Sequence, residues 1–250
     1  MNVQSAGITH VGKVRSSNED HYGTFDEIGL YVVADGMGGH AAGEVASLMA
    51  VETIRDTFQA AQAASDRTQP AGPGADPGRP IVWAIEQANQ RIFTTGRNDP
   101  ALSGMGTTIA ALWLSGETAY VAHVGDSRVY RLRGSVLEQI TSDHSLINDY
   151  LSRGIMKPDE AATHPMKHVL VRALGTTASV AVDVKPVPLK PGDLFLLCSD
   201  GLSNVIPHAE LAGTLADPPA DLSVRCQRLV DVANRHGGLD NITAVLVTAT

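Results

Sequence analysis

The chain has 250 residues, 43% of them hydrophobic and only 4% aromatic, so it can bury a sizeable core built on Ala, Val, Leu and Ile rather than on rings. A formal net charge of -8 without any basic cluster speaks against nucleic acid or a membrane surface as partner. No apolar run reaches membrane-spanning length and MNVQSAGITH lacks a signal-peptide core, so a cytoplasmic protein is expected.

The first apolar β-type run is GLYVVA (29–34). A glycine-rich turn follows, then a predicted helix carrying Val45, Leu48, Val51, Ile54 and Phe58. The Pro/Gly content of residues 65–80, SDRTQPAGPGADPGRP, forbids helix and central strand, which leaves an outer loop. A second helix is marked by Ile81, Ile85, Ala88 and Ile92 at i, i+4, i+7 and i+11. Then come TTIAALWL (107–114), TAYVAHV (118–124) and RVYRL (128–132), separated only by SGE and GDS. Links this short suit antiparallel hairpins and exclude βαβ crossovers. DLFLLCS (193–199), a helix carrying Leu222, Cys226, Leu229 and Ala233, and NITAVLV (241–247) complete the chain. Most of the β runs are apolar on both faces, as in sheets covered on both sides. Cys198 and Cys226 sit among apolar residues and read as core fillers, not as a disulfide framework.

The acids are placed non-randomly. Asp35 directly follows GLYVVA, Asp126 follows TAYVAHVG, Asp200 directly follows DLFLLCS, and Asp240 directly precedes NITAVLV. If the last strand is antiparallel to the others, all four reach one rim. Any one Asp-Gly pair is turn-like by itself. Together the carboxylates would repel each other and raise their pKa values unless a cation joined them. An all-oxygen donor set calls for a hard divalent ion.

With these acids in place, further motifs fall in order along nearly the whole chain: GKVRSSNED (12–20), VADGMGGH (33–40), GTT (106–108), GDSR (125–128), TSDHS (141–145), RALG (172–175), GDLFLLCSDGL (192–202) and GLDNIT (238–243). Each is short, but the ordered set resembles the metal-dependent serine/threonine protein phosphatases, the protein phosphatase 2C family, in their compact bacterial form. The resemblance implies an α+β fold, a four-layer α-β-β-α sandwich of two antiparallel sheets flanked by helix pairs. It implies one catalytic domain over 1–250, with the 65–80 loop as an insert and a flap at about 146–168. It implies phosphoserine/phosphothreonine hydrolysis on proteins by a hydroxide bridging two Mn²⁺ or Mg²⁺ ions, without a phosphoenzyme. Asp35 resembles the bridging ligand, with the Gly36 carbonyl on one metal; Asp200 and Asp240 resemble ligands of the other. Glu19 and Asp20 resemble acids that hold metal-bound water. Arg15 is similar to the arginine that grips the substrate phosphate. Asp126 with Asp200 matches a third, weaker metal position. His40 lies in the glycine turn, as general acid or as a residue that orders the turn. The implied partners are phosphorylated proteins, among them autophosphorylated forms of a Ser/Thr kinase, and the expected state is a monomer.

Other readings fare worse. GMGGHA (36–41) fits the dinucleotide fingerprint, but no parallel strand follows its helix. A cysteine phosphatase needs Cys-x5-Arg, whereas Asn204 and Val232 stand six residues after Cys198 and Cys226. The surroundings of Ser199, LCSDG, do not make a nucleophile elbow. A non-catalytic phosphoprotein-binding module on the same fold would be marked by lost metal aspartates, and here all are present.

Overall fold

The computed structural model describes residues 3–38, 42–65, 77–161, 164–166, 168–217 and 221–249. His40 and most of the 65–80 loop lie outside the described residues. The strands are β1 (Val3–His10), β2 (Asp20–Phe25), β3 (Leu30–Met37), β4 (Gly106–Thr107), β5 (Ile109–Ser115), β6 (Thr118–Val124), β7 (Arg128–Arg133), β8 (Val136–Gln139), β9 (Asp183–Pro188), β10 (Asp193–Cys198) and β11 (Ile242–Ala249). The helices are α1 (Ala42–Ser65), α2 (Arg79–Asn98), α3 (Leu146–Ser152), α4 (Pro158–Ala161), α5 (Asp200–Ser203), α6 (His208–Ala216) and α7 (Leu222–Arg235).

One sheet has the order β1-β11-β10-β7-β8 and the other β2-β3-β5-β6-β9, with β4 paired to β3, and the pairings are antiparallel throughout. Alternation along each strand divides its side chains between two cores. In β3, Leu30, Val32 and Ala34 pack with α1 and α2 residues, while Tyr31 and Val33 pack in the core between the sheets. In β10, Leu194, Leu196 and Cys198 join residues of α6 and α7, while Phe195 and Leu197 face the other sheet. This is the four-layer sandwich, and it explains why the central strands read as continuous apolar runs.

Helix α2 buries Ile81, Ile85, Ala88 and Ile92, and α7 buries Leu222, Cys226, Leu229 and Ala233, as the periodicity predicts. Each fully buried aliphatic side chain is worth about 1.5–3 kcal/mol of transfer free energy. The stripe assigned to α1 needs correction. Val51, Ile54 and Phe58 are buried, but Leu48 is exposed, and Ala46 and Ala50 supply the inward surface in its place. Small residues there let the helix lie close to its sheet.

A second correction concerns the GDS link. SGE joins a true hairpin, β5 to β6. GDS does not: β6 and β7 belong to different sheets. The link steps across the sandwich, with Gly125 at φ 105° and its α-carbon against Thr108. A β-carbon there would collide with Thr108, so the crossing requires glycine. Asp126 therefore sits at the junction of the sheets rather than in a hairpin turn.

Candidate active site

All of the acid-bearing ends lie at one rim. β3 leads out to Asp35, β10 leads to Asp200 at the start of α5, and β11, antiparallel to β10, begins just after Asp240. Asp35 lies within β3, which continues to Met37, rather than after its end. Its residue parity matches Tyr31 and Val33, so it belongs to the face between the sheets. Asp20 of β2 is its direct cross-strand partner. Two like charges at paired positions destabilise a sheet unless something offsets them.

Asp20 shows the same conflict at atomic level. It is 2% exposed, and its Oδ2 accepts hydrogen bonds from Ser199 Oγ and Thr243 Oγ1, both at 2.7 Å, across to the other sheet. Its Oδ1 is buried with no hydrogen-bond partner. Burial, only partly offset by those hydroxyls, pushes its pKa up to about 7. Burial, then Asp20, Asp200, Asp126 and Asp240, drives the Asp35 carboxyl far above the usual carboxylate range. Asp200 is raised by burial and by Asp240, with His168 pulling the other way. Asp126 is pushed to about 7 by burial, Asp200 and Asp143, although Arg128 pulls the other way. Glu19 is raised chiefly by burial.

The positions of these acids are over-determined. Thr108 donates from Oγ1 to Ser127 or accepts from it at 2.6 Å, accepts from Asp35 N at 3.1 Å, and donates its own N–H to the Asp35 carbonyl at 2.9 Å. One threonine thus ties the Asp35 strand to the Asp126 crossing. Asn241 accepts from Glu19 N at 2.8 Å and donates to the carbonyls of Val11 and Ser17, fixing the 11–19 loop against Asp240. Gly36 lies flat against Gly43 and Glu19, and a β-carbon would strike both backbones. Arg128 grips Asp143 with contacts of 2.6–3.1 Å, which anchors TSDHS to GDSR. Sequence reasoning assigned no role to Thr108, Asn241, Ser199 or Thr243, though all lie in the quoted motifs.

A cleft of about 520 Å³ opens on this rim, lined by Arg15, Glu19, Asp35, Gly36, Asp126, Asp200 and Asp240, with residues 170–173 on its wall. Arg15 donates from NH2 to Asp240 Oδ2 at 2.8 Å and is half-exposed. A neighbouring cavity of about 530 Å³ shares Asp126 and His168 and is lined by Asn148, Leu151 and Ala161 from α3 and α4.

Among the described residues, the one set with three His, Cys or carboxylate ligand atoms within 4.8 Å of one another is elsewhere: His123, His144 and Asp183. It is internally satisfied. Gly125 N–H donates to His144 Nδ1 at 3.1 Å, which puts that ring's proton on Nε2, 3.4 Å from Asp183 Oδ2. His123 Nε2 donates to the Ser142 carbonyl at 2.9 Å. The Arg172 guanidinium donates to Asp183 Oδ1 at 2.6 Å and stands 3.2 Å from His144 Nε2, where it already supplies the cation. The aspartate rim has the opposite character: hard oxygen donors, an orphaned buried carboxylate oxygen on Asp20, and carboxylates raised by burial and by one another. Those residues fit a divalent metal.

The family description "Protein phosphatase 2C" matches residues 9–235. The serine/threonine phosphatase stp of Listeria innocua is 38% identical over 96% of this chain and 93% of its own length. The serine/threonine phosphatase structure from S. agalactiae superposes with TM-score 0.87 at 34% identity, covering 100% of both chains. The catalytic domain of the protein phosphatase PstP, solved with 2 manganese ions, superposes with TM-score 0.78 at 34% identity, covering 98% of this chain and 97% of that one. The ordered motifs, the two-sheet sandwich, the carboxylate rim and these relatives lead to one conclusion: the chain belongs to the protein phosphatase 2C family, as a metal-dependent serine/threonine phosphatase acting on phosphoproteins.

Proposed function

We propose that Asp35, Asp200 and Asp240, with the Gly36 carbonyl, hold two divalent cations at this rim, and that Asp126 with Asp200 offers a third, weaker position. The observation that carries this reading is the buried, mutually repelling carboxylate set. When bound, a metal pair supplies an acidified water and neutralises phosphoryl oxygens. The chain's own residues do the rest. Asp20 and Glu19 accept hydrogen bonds from water at the floor. Arg15 keeps Asp240 in place through NH2 and turns its other N–H groups to the phosphate. Residues 146–168 act as a flap beside the cleft, and the full chain works as one catalytic domain. His40, of the GMGGH segment, remains the candidate proton donor to the leaving group.

In this reading Mn²⁺ and Mg²⁺ both serve, since both accept oxygen ligands. The protein acts as a cytoplasmic monomer, and autophosphorylated forms of a Ser/Thr kinase are among its substrates. Among the described residues no helix is long and apolar enough to cross a membrane. The test is hydrolysis of p-nitrophenyl phosphate and a phosphothreonine peptide with Mn²⁺, Mg²⁺ or a chelator. Turnover that is metal-dependent and unaffected by a Cys-alkylating reagent supports the assignment. Turnover in excess chelator would contradict it.

A further inference from the structure

Several exposed large apolar side chains stand in the segments that border the cleft. Val14 and Leu239 are 65% and 60% exposed, and they are the chain neighbours of Arg15 and Asp240, which line the cleft and are paired to each other. Lys13 N donates to the Gly238 carbonyl at 2.7 Å, so these two segments run side by side, with Val14 on one and Leu239 on the other. On residues 164–171, Met166, Val169 and Val171 are also exposed, and Val171 itself lines the cleft. Val169 and Val171 are tied down by backbone bonds: Leu146 N donates to the Val169 carbonyl and Val171 N to the His144 carbonyl. Exposed apolar groups scattered singly need no explanation, but a grouping around a polar cleft does.

The charges at the mouth point the same way. The two arginines lining the cleft are already paired, Arg15 with Asp240 and Arg172 with Asp183. Beyond the phosphate site, the segments that carry these pairs also offer a bound chain aliphatic surface.

We propose that Val14 and Leu239, with Met166, Val169 and Val171, form an apolar collar that selects phosphoserine and phosphothreonine sites flanked by aliphatic side chains. The occupant is the substrate chain itself, because the collar is continuous with the cleft that receives its phosphate. The proposal rests on the phosphatase reading of that cleft. Covering roughly 60 Å² of aliphatic surface corresponds to about tenfold in kcat/KM.

The experiment compares two phosphothreonine peptides of equal length and charge, one with Leu and Val beside the phosphoresidue and one with Ser and Gln. Both are measured with Mn²⁺ on the full chain and on V14S/L239S and V169S/V171S. The readout is the kcat/KM ratio within each protein, so any loss common to both substrates cancels. The wild type should favour the aliphatic peptide about tenfold, and each double variant should bring the ratio towards one. A wild-type ratio near one, or a ratio unmoved in both variants, overturns the collar. Metal-dependent hydrolysis of p-nitrophenyl phosphate by the same wild-type preparation shows whether the phosphatase reading still stands; its absence overturns that reading and the collar with it. If the collar instead pairs two copies, the wild type will run as a dimer that V14S/L239S dissociates while the peptide ratio stays near one, and the proposal falls.

Discussion

Two groups of ligand-type residues lie close together on this molecule, and they differ in how their charge is balanced. At His123, His144 and Asp183 the ligand atoms are close, but each charge or proton already has a partner. Burial pushes the Asp183 carboxyl up, yet the hydrogen bond from Arg172 and the His144 ring pull it below the usual range. Burial, His123 and Arg172 lower His144 to about 4, so the ring is neutral at pH 7. At the aspartate rim Asp20, Asp35, Asp126 and Asp200 are raised, and one buried oxygen, Asp20 Oδ1, has no partner. Proximity of donors alone does not single out a metal site; in the proposed reading it is the uncompensated charge that does.

The largest effect should come from Asp35→Asn. It keeps the shape of the strand but removes the charge common to the cluster. Turnover should fall about a thousandfold or more, roughly 4 kcal/mol of barrier, with the circular dichroism spectrum unchanged. Near-normal turnover would sink the assignment. Arg15→Ala should lower kcat/KM for a phosphopeptide about 10- to 100-fold, the worth of a charged hydrogen bond at roughly 1.5–3 kcal/mol. Mn²⁺ affinity should hold or tighten slightly, because Arg15 competes for Asp240. Weaker metal binding would mean that Arg15 serves the metal site instead.

Asp126→Ala separates two roles. If Asp126 holds a third metal, kcat at saturating Mn²⁺ should fall on the order of tenfold, about 1.4 kcal/mol. The metal-free melting temperature should rise, since a repelled buried carboxylate is gone. A turn-capping role gives the reverse, a lower melting temperature with kcat unchanged.

The rim also sets a pH dependence. Asp20 and Asp126 titrate near 7 in the folded chain, above the ordinary value of 3.8. The folded state therefore binds more protons than the unfolded state between those values, and stability falls as pH rises. In chelator, the melting temperature should drop from about pH 5 to about pH 8, and Mn²⁺ should restore it most at the upper end. A metal-free melting temperature that is flat or rising across that window would contradict the balance described. The smallest effect is expected of Asp183→Asn. Its ion pair is half-exposed and worth at most about 1 kcal/mol, so Mn²⁺-dependent turnover should stay within about twofold.

The sequence shows the central strands and the rim acids because both depend on burial. β3, β5, β6, β7, β10 and β11 appear as apolar runs, and Asp35, Asp126, Asp200 and Asp240 mark the ends of those runs. The missed strands β1, β2, β8 and β9 are the four sheet edges. Edges are covered less completely, so VQSAGITH and DHYGTF carry no continuous apolar run, and β9 tolerates Pro186 and Pro188. Link length could not separate the SGE hairpin from the GDS crossing, because both have three residues and only tertiary pairing tells them apart. Asn241 and Thr108 escaped notice for a related reason: their work is to hold backbone far away in sequence, 222 residues for Asn241 and Glu19.

The central claim, that the aspartate rim and not the histidine cluster binds metal, is tested most directly by calorimetric titration of Mn²⁺ into wild type, Asp35→Asn and Asp183→Asn at one pH. Tight binding should appear in wild type and Asp183→Asn and be lost or strongly weakened in Asp35→Asn. Binding that survives Asp35→Asn and disappears in Asp183→Asn would contradict the account.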